Sequence, residues 1–280
     1  TAKGEEVAVT VRAPIVVVAA GSLHSPVLLL RSGVELPALG RHLHLHPATS
    51  VAGTYDDLIE PWSGPPQSIL CDEFADGGGG NAGYGFRLET APAHPGLLAL
   101  ATPWCGARDH RREMQASARK STIIVLVRDR HSGRVRLGRD GSPVVEYRPG
   151  RLEHRLLREG IAAASRVHLA AGARQLLALN HRRLGLRDAG DRAAVDAYFS
   201  DVAASRFGRN WSTLFSAHQM GTCRMGRDPR TAVCDADGQV FGIRGLYVAD
   251  ASAFPASSGV NPMITIMALS HHTAQRIDAG

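Results

Sequence analysis

Apolar positions along this chain switch between a period of two and unbroken runs, and the switches mark the elements. Val7, Val9 and Val11 alternate with other residues as a half-buried strand would, and after Ala13 and Pro14 the run Ile15, Val16, Val17, Val18, Ala19 is continuously apolar. An unbroken run predicts a central strand covered on both faces. It stops at Ala20, Gly21 and Ser22. Ser25 and Pro26 then open an apolar helical stretch through Leu30, with Gly33 just past its end. Strand, glycine turn and helix in that order put helix-terminal N–H groups where they can meet a phosphate.

From about residue 47 to 180 the texture changes to Gly/Pro-rich loops. A glycine run at 77–80 reads as a mobile surface loop, and short alternating segments at 122–128 and 144–147 read as antiparallel strands. Helices are predicted over about 150–171 and 191–199. Leu246, Tyr247, Val248 and Ala249 form a short buried strand ending at Asp250, and small residues lead to a last helix over about 262–277. The close resembles the opening in style. One α/β domain entered twice by the chain, with an α+β region inserted, accounts for this better than two sequential domains.

A chain of 280 residues with 44% hydrophobic residues can bury a sizeable core. No stretch approaches the roughly 20 apolar residues of a membrane span, and the first residues lack the layout of a secretory signal. The expectation is a cytoplasmic protein, with membrane association left open. The net charge of +6 is carried almost wholly by arginines interleaved with acids, and aromatics make up 5%, which argues against a nucleic-acid partner. Cys71, Cys105, Cys223 and Cys234 contain no CxxC pair, so neither a zinc site nor a disulfide framework is implied.

Candidate chemistry gathers in the last third. His218 precedes Gly221 and Thr222, and an imidazole titrating near neutrality suits a general base. An isolated histidine is most often a hydrogen-bonded core residue, so the neighbours matter. Asn261 and Pro262 form a helix start, with Asn as the cap and Pro at the first helical position. That start also presents free N–H groups and a positive dipole end. Asp250 lies at the carboxyl end of a strand, where open α/β sheets place ligands; capping a turn at 251–254 is the alternative. His42, His44 and His46 alternate and would share one face of an extended segment, as metal ligands do. No acidic or Cys partner lies nearby in sequence, so no metal is expected.

With these residues in hand, the chain resembles the carboxyl-terminal part of a glucose-methanol-choline (GMC) flavin oxidoreductase. Ala19, Ala20, Gly21, Ser22, Ser25, Pro26 and Gly33 resemble the family's second signature, and residues 218–277 resemble its terminal flavin-domain segment. Gly40 to Pro47 and His218 to Gly226 are most similar to the long-chain fatty alcohol oxidase and dehydrogenase branch. The resemblance implies an incomplete Rossmann-like flavin-binding domain (1–46 and 209–280) with an inserted antiparallel-sheet substrate domain (47–208).

It further implies FAD as cofactor and a small-molecule alcohol as substrate, with His218 taking the hydroxyl proton and Asn261 holding the substrate oxygen. Gly21, Ser22, Asp250, Ala251, Val260, Pro262 and Met263 fall at cofactor-contacting positions. The helix start at 261–262 would face the N1–C2 carbonyl edge of the flavin, where negative charge builds on reduction. Two departures stand out. His42 occupies a position where the family usually has Asn, and a strand–GxGxxG–helix element of the kind that cradles the ADP part of FAD is missing from this sequence. The expectation is a fragment that needs the missing N-terminal FAD-binding segment as a partner, with a non-catalytic piece as the alternative.

Overall fold

The protein is described by a computed structural model covering residues 8–65, 67–77, 83–180, 184–208 and 211–279. Its elements in chain order are β1 (Val16–Val18), α1 (Gly21–Arg31), β2 (Arg41–Leu43), β3 (Ala48–Thr54), β4 (Leu70–Cys71), β5 (Phe86–Thr90), α2 (Pro95–Ala101), α3 (Ala107–Gln115), β6 (Lys120–Val127), β7 (Gly133–Leu137), β8 (Pro143–Glu146), α4 (Arg151–Ala170), β9 (Gln175–Ala178), β10 (Leu184–Leu186), α5 (Arg192–Ala204), β11 (Leu246–Val248) and α6 (Met263–Ala279). Three sheets result among the described residues: the parallel pair β1–β11, an antiparallel sheet in the order β10-β9-β3-β6-β5-β4, and a smaller one in the order β2-β7-β8.

The large sheet has two unlike faces because side chains alternate along each strand. Val51, Val125, Ile123, Phe86 and Leu88 point to one face, where Leu156, Leu157, Ile161 and Ala164 of α4 cover them in the main core. The opposite face carries Ala48, Ser50 and Ala52 from β3, with Leu126, Ile124 and Thr122 opposite them on β6. These side chains are mostly small, and α2 covers only part of them. A cavity of about 220 Å³ remains there, lined almost wholly by apolar groups, including Ile124, Leu177, Leu179, Leu97, Leu98 and Phe215.

Several expectations are corrected by what surrounds each segment. Val16 and Val17 are half-exposed at 50% and 46%, and only Val18 is buried, because β1 has β11 as its single neighbour among the described residues. Val9 and Val11 form no strand and lie in solvent, while Val7 lies outside the described residues. The glycine run at 77–80 is described only at Gly77. Helix α1 begins at Gly21 rather than near Ser25, with Pro26 inside it. A proline there leaves the Ser22 carbonyl without its helical donor. The Thr222 hydroxyl donates to that carbonyl instead, at 2.7 Å, so the helix runs through. Among the described residues no helix is long and apolar enough to cross a membrane.

The close packing of α4 on β6 depends on Gly160, where a Cβ would stand 2.2 Å from Val125 Cγ1. Gly160→Ala gains about 1 kcal/mol of helix propensity, but overpacking costs about 1–3 kcal/mol. A lower urea midpoint of unfolding is expected, and a raised midpoint would count against this contact.

Candidate active site

The segment carrying His218 is tied down from both sides. Met220 exchanges backbone hydrogen bonds with His44 at 2.9 and 3.0 Å, while the N–H groups of Gly221, Cys223 and Met225 donate to the carbonyls of Ala251, Ser252 and Ala253. Gly221 has φ of +92° and a Cβ there would sit 2.3 Å from the His42 carbonyl oxygen, so only glycine fits. Ser22 donates its hydroxyl to the Gln219 carbonyl at 2.7 Å, locking α1 to the same loop.

His218 is half-buried, and burial pushes its pKa below the ordinary 6.5. Its Nδ1 lies 3.1 Å from Nδ1 of His46, with the rings edge to face at 84°. His46 is fully buried, and its Nε2 accepts the backbone N–H of Gly259 at 3.0 Å. One imidazole thus bridges the loop carrying His218 to the loop that leads, two residues on, to Asn261. Burial is the main cause that lowers the His46 pKa to about 4, against the raising influence of Asp129.

Asp129 holds this bridge in place. Fully buried just past β6, its carboxylate accepts from the Leu45 and His46 N–H groups (2.9 and 3.3 Å), the Ser257 hydroxyl (2.8 Å) and the Tyr147 hydroxyl (3.0 Å). Burial alone would raise its pKa, but His44 and these hydrogen bonds outweigh that and hold it below the usual carboxylate range. His44 Nδ1 approaches Asp129 at 3.6 Å, a contact longer than a hydrogen bond. His42 and His46 adopt left-handed backbone, with φ of +63° and +46°. The expected alternation of three histidines on one face is therefore broken. Among the described residues no group of three or more His, Cys, Asp or Glu side chains is arranged to hold a metal ion.

Asn261 does not cap the last helix. Helix α6 starts at Met263, and the carbonyl of Pro262, ahead of the first turn, accepts the Ile266 N–H at 2.8 Å. The Asn261 carboxamide turns instead to the sheet and donates from Nδ2 to Glu89 Oε2 at 3.3 Å. Glu89 is buried, also accepts from Gln67 at 3.2 Å, and keeps Oε1 without a partner among the described residues. Because Glu89 stands opposite Ile124 on β5, Asn261 lies over the same sheet face as the apolar cavity.

Asp250 serves both of its anticipated neighbourhoods. Its Oδ1 accepts the Ser252 N–H at 2.7 Å, capping a 3-10 turn at Ala251–Ala253, and its Oδ2 accepts the Gly21 N–H at 2.8 Å and the Ser25 hydroxyl at 2.5 Å. The carboxylate thereby clasps the starts of both α/β segments. Gly21, at φ of +77°, opens onto free space, since a Cβ there would touch nothing within 4 Å. Ala251 is buried, whereas Val260, Met263, Ile264 and Met267 show apolar side chains to solvent around the start of α6.

Sequence reasoning missed Asp129 and Glu89, and it read His46 as part of a metal look-alike. Glu89 sits in an alternating strand where a polar residue ordinarily points outward, and Asp129 follows an apolar strand within a run of charged residues. Neither pattern carries a signal of burial.

Two sequence patterns described as GMC oxidoreductase match the chain, a carboxyl-terminal one over residues 129–270 and an amino-terminal one over residues 1–48. The first spans more than half of the chain. The chain belongs to the GMC oxidoreductase family. A long-chain-alcohol oxidase of Arabidopsis thaliana is 32% identical to this GMC oxidoreductase over 95% of the chain, which spans 36% of that relative's length. Pyridoxine 4-oxidase from Mesorbium loti aligns in structure with a TM-score of 0.63 at 19% identity, over 95% of this chain and 52% of that one. Formate oxidase of Aspergillus oryzae RIB40 aligns with a TM-score of 0.63 at 18% identity, over 95% and 54%. At such identities these structures speak for a shared fold alone.

A histidine held at about 4 in the folded state and 6.5 when unfolded binds fewer protons folded than unfolded, so stability rises with pH across that window. On going from pH 7 to pH 5, His46 is expected to remove about 2 kcal/mol of stability. His46→Gln should flatten that part of the urea-midpoint-versus-pH curve. An unchanged slope would show that His46 is not buried in its neutral form.

Proposed function

We propose that this chain forms the substrate-facing and reactive part of an FAD-dependent oxidase or dehydrogenase acting on alcohols with long apolar chains. The observation that carries the reading is the His218–His46–Gly259 hydrogen-bonded chain, which joins the two loops bearing His218 and Asn261 beside an apolar cavity. In this reading His218 and Asn261 meet the alcohol oxygen and hold it in place for oxidation. FAD, when bound, supplies the acceptor for hydride from the carbinol carbon.

The residues fit such a cofactor in two respects. Gly21 leaves open space at the start of α1. Val260 and Met263, around Pro262 at the start of α6, offer exposed apolar surface to a large planar ring. Gly21, Ser22, Asp250 and Ala251 would hold the non-ring part, with Asp250 fixing the Gly21 turn, and the positive end of α6 would favour negative charge on the ring. Residues 1–46 and 209–280 are assigned to the flavin-binding region, and 47–208 to the substrate region.

Substrate class follows from the sheet face. Its floor runs from Ala48, paired with Phe215 near the His218 loop, towards Lys120 at the far end of β6. That is roughly 20 Å at about 3.3 Å per residue. An alkyl chain lying along it keeps its hydroxyl at the histidine end. The Arabidopsis relative named as a long-chain-alcohol oxidase supports the same class.

A second reading, a piece active only with further protein, is favoured by the exposed Val16, Val17, Ile264 and Met267, which leave apolar faces of β1 and α6 uncovered. Surface of this kind marks contact with something else.

With FAD bound, anaerobic addition of hexadecanol should bleach the flavin bands, and turnover should exceed that with glucose or choline; a strong sugar preference would reject the substrate class. His218→Ala is expected to lower turnover about 10²-fold or more with flavin still bound, and unchanged turnover removes His218 from the reaction. Ala52→Phe, which fills the cavity, should cut kcat/KM for hexadecanol by about 10-fold and leave butanol nearly unaffected.

A further inference from the structure

The hydrogen bonds around His46 determine which edge of His218 carries a proton. The Gly259 N–H points at His46 Nε2 across 3.0 Å, so that nitrogen must be a bare acceptor. His46 is buried and neutral at working pH, so its one proton then sits on Nδ1. Nδ1 faces His218 Nδ1 at 3.1 Å, and two protonated nitrogens cannot share that contact. His218 Nδ1 is therefore the acceptor, and its own proton lies on Nε2. The opposite arrangement, with His218 donating, would force the His46 proton onto Nε2 against the Gly259 N–H.

The alignment is built in. Gly259 has φ of +73°, and a Cβ there would meet Arg128 Cδ at 2.7 Å, so its backbone is held in a form suited to glycine. His46 has left-handed backbone, and Asp129 accepts its N–H. The charged and titratable groups around the His46 ring are Asp129 and Arg128 at the end of β6, His44 on its own segment, and His218.

We infer that His46 is a positioning residue that fixes His218 in the Nε2–H form, so that the edge of His218 turned away from His46 meets the substrate oxygen as a hydrogen-bond donor. This rests on the proposed alcohol-oxidising site for its consequence, not for its geometry. Nε2 makes no hydrogen bond to any described residue, so it is free for a ligand. A donor there holds an alcohol oxygen by a lone pair and stabilises negative charge as it develops.

The test is ¹⁵N NMR of the histidine side chains in the full chain at neutral pH, without cofactor or substrate, with His218 assigned by loss of its signals in His218→Gln. The expected spectrum shows a protonated Nε2 and a bare Nδ1 for His218. His46→Leu, which removes the donor, should turn this into a mixture of both forms. His46→Gln, whose amide can accept from Gly259 and donate to His218, should retain the wild-type pattern. A protonated Nδ1 on His218 in the wild type overturns the inference, as does a pattern unchanged in His46→Leu. Should His46→Leu not fold, the wild-type and His46→Gln spectra decide. Because no turnover is measured, the result stands apart from the His218→Ala test of the activity itself.

Discussion

A single imidazole with no access to solvent organises this site. His46 receives a backbone N–H on one nitrogen and contacts His218 through the other, so the loop before α6 and the loop after residue 216 share one rigid joint. The joint is costly to make: a left-handed backbone at a non-glycine residue costs roughly 1–2 kcal/mol, and the ring is fully buried. Asp129 offsets this by accepting both N–H groups of the Leu45 and His46 turn while it grips Ser257 from the other loop. Strain held by surrounding hydrogen bonds in this way is what functional sites tend to show.

The joint sits where the large sheet changes character. One face is sealed by α4 at a distance that only Gly160 permits, which makes the sheet a firm platform. On the other face, small side chains on β3 leave room that α2 only partly covers, and the resulting cavity is bordered by Phe215, three residues before His218. Apolar chain binding and polar chemistry can therefore be adjacent without mixing. Asn261 reaches the same face through Glu89, a buried carboxyl group whose second oxygen remains unpartnered among the described residues.

Much of the framework was legible in the sequence because it rests on local pattern. The alternation in 122–128, the amphipathic run at 150–171 and the helix near residue 191 correspond to β6, α4 and α5. What misled were positions whose meaning depends on distant partners. The apolar run at 15–19 reads as doubly covered, yet β1 has one neighbour among the described residues. Pro26 reads as a helix start, yet the distant Thr222 hydroxyl lets α1 continue through it. Asn261 reads as a cap, yet its carboxamide is drawn to Glu89. His218 was visible through its motif. His46 was visible only as one of three alternating histidines, since nothing near it in the chain foretells Gly259 or Asp129 as its partners.

The central claim is that these two loops make one reactive site. A crystal structure of the FAD-loaded protein with a bound long-chain aldehyde tests it most directly. The account predicts His218 Nε2 and the Asn261 carboxamide within hydrogen-bond distance of the same aldehyde oxygen, with the alkyl chain lying on the β3–β6 face. An aldehyde oxygen that meets neither group, or His218 and Asn261 turned to separate cavities, would contradict it.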